Sequence, residues 1–198
     1  SIMDEIAIGK QDAAGKGKKY VFSGAHMVLT GNPGTGKTTL ARALGEVFTS
    51  AGILTNGHVI DTDRSRLIGQ YKGETAKLVQ KACDEAMGGV LLIDEVYALK
   101  QNDQDDYGQE AIDTLLKRME DDRDKFIVIA AGYEKLMPRF LSANPGLKSR
   151  FKHFFHLNDY TGEQLLDIFK IFVKNEGITL HPAAEKKVAA VLEEMYKK

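Results

Sequence analysis

The densest chemistry in the chain lies in Gly31-Asn32-Pro33-Gly34-Thr35-Gly36-Lys37-Thr38. This G-x-x-x-x-G-K-T run follows the apolar segment Met27-Val28-Leu29. It precedes Thr39-Leu40-Ala41-Arg42-Ala43-Leu44-Gly45, which has the composition of a helix. A strand feeding a glycine-rich turn that opens into a helix is the setting in which such a motif holds phosphates. Glycines let successive backbone N–H groups turn inward on one anion, and the helix N-terminus adds partial positive charge there. The motif therefore predicts a nucleoside triphosphate site, with Lys37 reaching the outer phosphates and the Thr38 hydroxyl on Mg²⁺. Asn32, Pro33, Gly34, Thr35, Gly36 and Thr39 complete the cradle.

A second landmark is Val90-Leu91-Leu92-Ile93 followed by Asp94-Glu95. Four apolar residues bounded by Gly88-Gly89 read as a strand buried on both faces, as in parallel sheets. Two acids at its C-terminal end are costly unless they meet a cation or a bound water. Downstream of a phosphate-binding loop, Asp94 is expected to hold Mg²⁺ through its water shell, and Glu95 to polarise the attacking water as general base.

The elements that must position these groups follow from periodicity. Strands are expected at Met27-Val28-Leu29, around His58-Val59-Ile60, at Val90–Ile93, at Phe126–Ala131 and around Phe154-Phe155. Helices between them make an α/β unit with a five-stranded parallel sheet. One helix runs to about Ser50. Another, from Thr75 to Met87, carries Ala76, Val79, Ala82, Cys83 and Ala86 on one face. A third carries Ala111, Ile112, Leu115, Leu116 and Met119. Tyr133 to Leu141 reads as a fourth, broken at Asn144-Pro145-Gly146. After Asp159 the alternation stops, and Thr161–Asn175 and Pro182–Tyr196 read as two helices. The chain thus divides into a nucleotide-binding core, residues 1–158, and a second, helical subdomain, residues 159–198.

Other stretches carry weaker signals. Ile2, Met3, Ile6 and Ile8 suit a short amphipathic helix, and Gly15-Lys16-Gly17-Lys18-Lys19 a solvated basic connector. Gln70-Tyr71-Lys72-Gly73 either holds Tyr71 out on a loop or caps the core with it. Lys100–Asp106 reads as a solvated acidic loop, since it lacks the glycine and terminal glutamate of a calcium loop. The net charge of −1 supplies no field to draw nucleic acid or an anionic membrane. The lone Cys83 excludes an internal disulfide and a cysteine zinc cluster. No apolar run reaches membrane-spanning length and no signal-peptide pattern opens the chain, so a cytoplasmic protein is expected.

Taken together, the chain resembles the AAA+ ATPases, and within them the CbbX/CfxQ group with its SpoVK-like and type VII secretion members. The resemblance rests on His26–Thr39, on Gly88–Leu99, on Ile129-Ala130-Ala131-Gly132-Tyr133 and on Asn144-Pro145-Gly146-Leu147-Lys148-Ser149-Arg150-Phe151. It implies an enzyme that binds ATP and ADP with Mg²⁺, hydrolyses ATP, and assembles with copies of itself into a ring, hexameric in the full-length protein. Hydrolysis is then coupled to threading or remodelling of a protein client. In such rings Tyr71, Lys72 and Gly73 match the pore loop that grips the client. Arg150 matches the arginine finger given to the neighbouring subunit's site, and Tyr133 stands at the first-sensor position. The resemblance also implies that residues 159–198 are part of a helical lid. The family's second-sensor arginine is expected on a later lid helix, beyond Lys198, the chain being read as a piece of a longer protein. The alternative is a nucleic-acid-directed AAA+ protein of clamp-loader, helicase-loader or junction-motor type. Tyr71 and the neutral charge disfavour it, and neither a membrane nor a nucleic acid partner is expected.

Overall fold

The structure is a computed structural model that describes residues 26–71, 73–102 and 104–196, with scattered positions before residue 26. The helix expected around Ile2, Met3 and Ile6, most of the basic connector, Lys72 and Asp103 lie outside the described residues. The chain forms two compact units, Ser1–Leu157 and Asn158–Lys198.

The first unit is built on five strands: β1 (Met27–Gly31), β2 (Val59–Thr62), β3 (Val90–Ile93), β4 (Ile127–Gly132) and β5 (His153–Leu157). They hydrogen-bond in the order β2-β3-β4-β1-β5, every neighbour parallel. β1, β3 and β4 are buried throughout because both faces are covered. Alternate residues serve opposite layers. Met27, Leu29, Val90, Leu92, Ile127, Ile129 and Ala131 pack with Ala41 and Phe48 of α1 (Lys37–Ser50). Val28, Leu91, Ile93, Val128 and Ala130 face the other layer. That layer comprises α2 (Arg64–Leu67), α3 (Glu74–Glu85), α4 (Asp106–Asp121), α5 (Met137–Ser142) and α6 (Pro145–Arg150). Cys83 is a buried member of it, and burial pushes its thiol up to about 12.

This winding locates the site. The loop after β1 feeds a helix on one face, whereas the segments after β3 and β4 feed helices on the other. In open α/β sheets a crevice opens at the C-terminal strand edge where connections diverge in this way. Here it lies beside Gly31, between the ends of β1, β4 and β3.

Two expectations needed correction. The helix expected over Tyr133–Leu141 is a 3₁₀ turn, Glu134–Leu136, followed by α5. Pro138 has no N–H to continue the ladder, so the chain restarts there. Asn144-Pro145 does break that helix, but it also starts another. The Asn144 side chain accepts the Gly146 N–H at 2.8 Å and Pro145 occupies the first turn of α6, where a missing N–H costs nothing. Residues 148–150 are therefore helical.

In the second unit, α7 (Gly162–Asn175) begins with a reciprocal capping box between Thr161 and Gln164. Lys170 of α7 pairs with Glu185 of α8 (Pro182–Tyr196) at 2.6 Å.

At the opposite edge of the sheet from the crevice, buried His26 accepts the Val128 N–H on Nδ1 at 3.0 Å. Its proton therefore sits on Nε2, toward the backbone of Met119. Burial is the main cause that lowers its pKa to about 4, with the Arg150 charge adding to it. A folded pKa below the unfolded value gives stability that is complete above about pH 6.5 and lost as pH falls toward 4. The loss should approach roughly 3 kcal/mol. Denaturant titrations across that window should show it, and His26→Phe should flatten the slope while lowering stability at pH 7, because the Val128 N–H is left unpaired.

Candidate functional site

The loop between β1 and α1 has the shape its glycines dictate. Gly34 and Gly36 lie in the left-handed region, with φ of 78° and 86°. Gly36 is the cap of α1 and carries no side-chain bond to its N–H groups. The N-terminus of α1 thus presents its partial positive charge where an anion would enter. A Cβ at Gly31 would lie 2.6 Å from the Leu157 carbonyl oxygen, so β1 and β5 can approach only through glycine there. Lys37 folds its ammonium back into the loop, donating to the carbonyls of Gly31 at 3.0 Å and Asn32 at 2.9 Å. Thr35 braces the turn through Asn32 O at 2.8 Å. Thr38 is half-buried on the first turn of α1 and Thr39 is exposed.

Asp94 and Glu95 leave the end of β3 beside this loop. Asp94 donates its N–H to Thr62 O at 2.8 Å, and its Oδ1 accepts the Glu95 N–H at 2.9 Å. Glu95 is exposed and takes φ 46°, ψ 42°, the one non-glycine described residue with positive φ. Such a backbone costs of order 1–2 kcal/mol and concentrates at functional sites. A cavity of about 80 Å³ is lined by Gly31, Pro33, Lys37, Asp94, Glu95, Tyr97, Gly132 and Tyr133. Cation, acids and loop thus meet in one corner. A cleft of about 410 Å³ adjoins it, lined by Asp61, Thr62, Asp63, Arg66, Asp94 and Glu95. Burial, then the charge of Asp94, raises the Asp61 carboxyl.

Tyr71 is 70% exposed, which removes the reading in which it caps the core. Glu74 holds its loop: Oε2 accepts the N–H groups of Gln70 at 3.0 Å and Tyr71 at 3.1 Å. Thr75 Oγ1 accepts from Gly69 at 3.0 Å, and Gly73 turns the chain into α3 at φ 83°. Upstream, Arg64 of α2 donates to Ala98 O and Asp105 Oδ2, each at 2.9 Å, and to Leu99 O. The segment that carries Glu95 and the one that leads to Tyr71 are thus tied together.

Asp105 corrects the solvated-loop expectation. Its side chain is 9% exposed, pairs with Arg64 and accepts from Gln101 at 3.0 Å and Gly108 at 2.9 Å. Burial works to raise its pKa, but these N–H groups and Arg64 outweigh that and hold it low. Among the described residues no group of three or more His, Cys, Asp or Glu is arranged to hold a metal alone.

Arg150 stands apart. It ends α6 just before β5, whose His153 is in register with Met27 at the start of β1. It therefore lies at the opposite sheet edge from Lys37, about 16 Å away along a five-residue strand. Its Nη2 pairs with Glu120 Oε2 at 3.2 Å, and its Nε is buried without a partner. Arg64, Glu74 and Tyr97 were not singled out by sequence reasoning. For Glu74, its place directly after Gly73 was the available signal.

The model of the "ATPase family associated with various cellular activities (AAA)" matches residues 27–159. The chain belongs to the AAA ATPases. This AAA ATPase is 43% identical over 178 residues to the stage V sporulation protein K of Bacillus subtilis, covering 90% of the chain and 55% of that protein. It is 46% identical over 164 residues to the chloroplastic ribulose bisphosphate carboxylase/oxygenase activase of Cyanidioschyzon merolae, covering 82% and 56%. It is 42% identical over 176 residues to the ESX-1 secretion system protein EccA1 of Mycobacterium leprae, covering 87% and 31%. With CfxQ of Xanthobacter flavus also at 42%, these relatives set it in the CbbX/CfxQ, SpoVK-like group. The chain spans about half the length of the first two and less of the third. The FIGL-1 AAA domain in complex with ADP shares the fold, with a TM-score of 0.59 at 20% identity over 86% of this chain and 54% of that one. No helix among the described residues is long and apolar enough to cross a membrane.

The Glu95 backbone generates a test that needs no ligand. Glu95→Gly should raise unfolding free energy by about 1 kcal/mol, because glycine adopts positive φ without strain. The β-branched Glu95→Val should lower it, and urea melts of the pair read the difference.

Proposed function

We propose that this AAA ATPase binds ATP with Mg²⁺ in the crevice beside Gly31, hydrolyses it, and uses the turnover within a ring of subunits to remodel protein clients. The observation that carries the reading is the single corner shared by Gly31, Lys37, Asp94 and Glu95. A triphosphate seated on the loop amides draws Lys37 from the loop carbonyls to its outer oxygens. Glu95 takes a proton from the water that attacks the γ-phosphorus, and the released phosphate leaves ADP on the loop. The Thr38 hydroxyl and the Asp94 carboxylate, the latter through water, form an all-oxygen donor set suited to Mg²⁺. When bound, that ion neutralises charge on the β- and γ-phosphate oxygens.

Two features support action in a ring. Arg150 lies a strand length from its own phosphate loop, so a phosphate it meets belongs to a neighbouring subunit. Its tether to half-exposed Glu120 is a surface pair of about 0–1 kcal/mol, light enough to exchange. Tyr71, exposed on a loop that Glu74 stiffens, supplies an aromatic grip without weakening the core. The activase named above acts on a protein, which favours a protein client over nucleic acid. The net charge of −1 points the same way.

Lys37→Ala should abolish nucleotide binding, whereas Glu95→Gln should keep binding and block hydrolysis; fluorescent-nucleotide titration and phosphate release separate the two. Equal affinity in Lys37→Ala and the unaltered protein would overturn the assignment. For the ring, an Arg150→Ala subunit and a Glu95→Gln subunit, each inactive alone, should recover turnover when mixed. Tyr71→Ala should leave stability intact, as an exposed ring must.

A further inference from the structure

The corner where Lys37, Asp94 and Glu95 meet has a wall that neither motif accounts for. Tyr97 lies two residues past Glu95 on the 3₁₀ turn Val96–Leu99, and it lines the same cavity. Its ring lies over Gly132 at the end of β4: a Cβ there would meet Tyr97 Cε1 at 2.6 Å and Cδ1 at 3.0 Å. Gly132 is therefore a space that the ring requires. Beyond it stands the Tyr133 ring, 6.1 Å from Tyr97 between centroids and tilted by 31°. Burial, then the neighbouring Glu95, Tyr133 and Asp94, pushes the Tyr97 hydroxyl up to about 12, so it stays a neutral donor beside two carboxylates.

The geometry gives the ring a mechanical task. Glu95 sits on a strained left-handed backbone whose only forward continuation is the turn carrying Tyr97. A turn that slid along β4 would let that backbone relax and swing the carboxylate away. The ring fixes the turn by filling the notch at Gly132. The same ring supports Tyr133 from behind.

We propose that Tyr97 is a positioning residue for the γ-phosphate end of the nucleotide site: seated in the notch at Gly132, its ring holds Glu95 and Tyr133 in register. This rests on the ATP reading given above. It asks more of Tyr97 than packing, because it ties the ring to the third phosphate and not to the first two.

The test compares affinity for ADP with affinity for ADP–beryllium fluoride, a γ-phosphate mimic, in the presence of Mg²⁺. Tyr97→Ala and Gly132→Ala should each weaken the mimic about tenfold while changing ADP affinity by less than about twofold. Tyr97→Phe should restore the mimic to within about twofold. In the double variant Gly132→Ala should add nothing to Tyr97→Ala, because the ring that the new Cβ would displace is gone. Tyr97→Leu serves the same comparison if Tyr97→Ala fails to fold. Equal loss of both ligands, or additive losses in the double variant, would overturn the proposal, as would an unchanged mimic affinity. Failure of the ATP reading is separately visible, since Lys37→Ala would then leave both affinities unaltered.

Discussion

The site depends on one constraint: β1 is hydrogen-bonded on both sides by strands that run the same way. β4 pairs with it from Met27↔Ile129 to Thr30↔Gly132, and β5 from Met27↔His153 to Gly31↔Leu157. Parallel pairing sends every strand end to the same edge, so the phosphate loop, the two acids and Tyr133 emerge side by side although they are distant in sequence. It also sends every strand beginning to the far edge, where His26 and Arg150 lie. A single antiparallel strand in the sheet would exchange these placements. The fold thus sets Lys37, Asp94 and Glu95 at one edge of the sheet and Arg150 at the other.

Within that frame the site is assembled by opposed electrostatics. Lys37 is held by carbonyl oxygens, a weaker partnership than a carboxylate would give, so its charge stays transferable. Asp61, Asp94 and Glu95 line one cleft at the neighbouring strand ends, and the Asp61 carboxyl is raised by its burial first and by the Asp94 charge second. A divalent cation relieves such crowding. The left-handed Glu95 adds stored backbone energy at the same point. The fully buried β3 that leads to it and β4 beside it hold that backbone in place.

Much of this was legible in the sequence, and for physical reasons. The glycines of residues 31–36 and the run Val90–Ile93 ending in Asp94-Glu95 each impose a local conformation strong enough to survive folding. All five strands were legible from their apolar runs, although β2 lies a residue or two further on than His58–Ile60, because polar Asp61 and Thr62 still pair with Leu92 and Ile93. Contacts made across the fold were not legible. Nothing in Arg64 points to the carbonyls of residues 98 and 99, nothing in Asp105 announces that it will be buried, and Gly132 gives no sign of which ring needs its missing Cβ. These depend on side chains meeting over tens of residues, where periodicity carries no information. The short elements around Pro138 and Pro145 were misread for the opposite reason: proline marks a boundary clearly but does not say whether a helix resumes.

The place of β1 has a consequence for how the protein comes into being. Thr30 reaches the Phe155 carbonyl at 3.3 Å and the His156 ring at 3.0 Å, closing a span of 125 residues. Loop closure of that length carries a large entropic cost before any contact repays it, and non-local parallel pairing is intrinsically slow. A nascent chain therefore displays its phosphate loop long before that loop has a scaffold. The glycines can shape the loop locally, but the wall beside Gly31, where a Cβ would meet the Leu157 carbonyl, is built only when β5 has left the ribosome and docked. The corner lined by Gly31, Asp94, Glu95 and Gly132 draws on the ends of three strands, so it exists only in the assembled sheet.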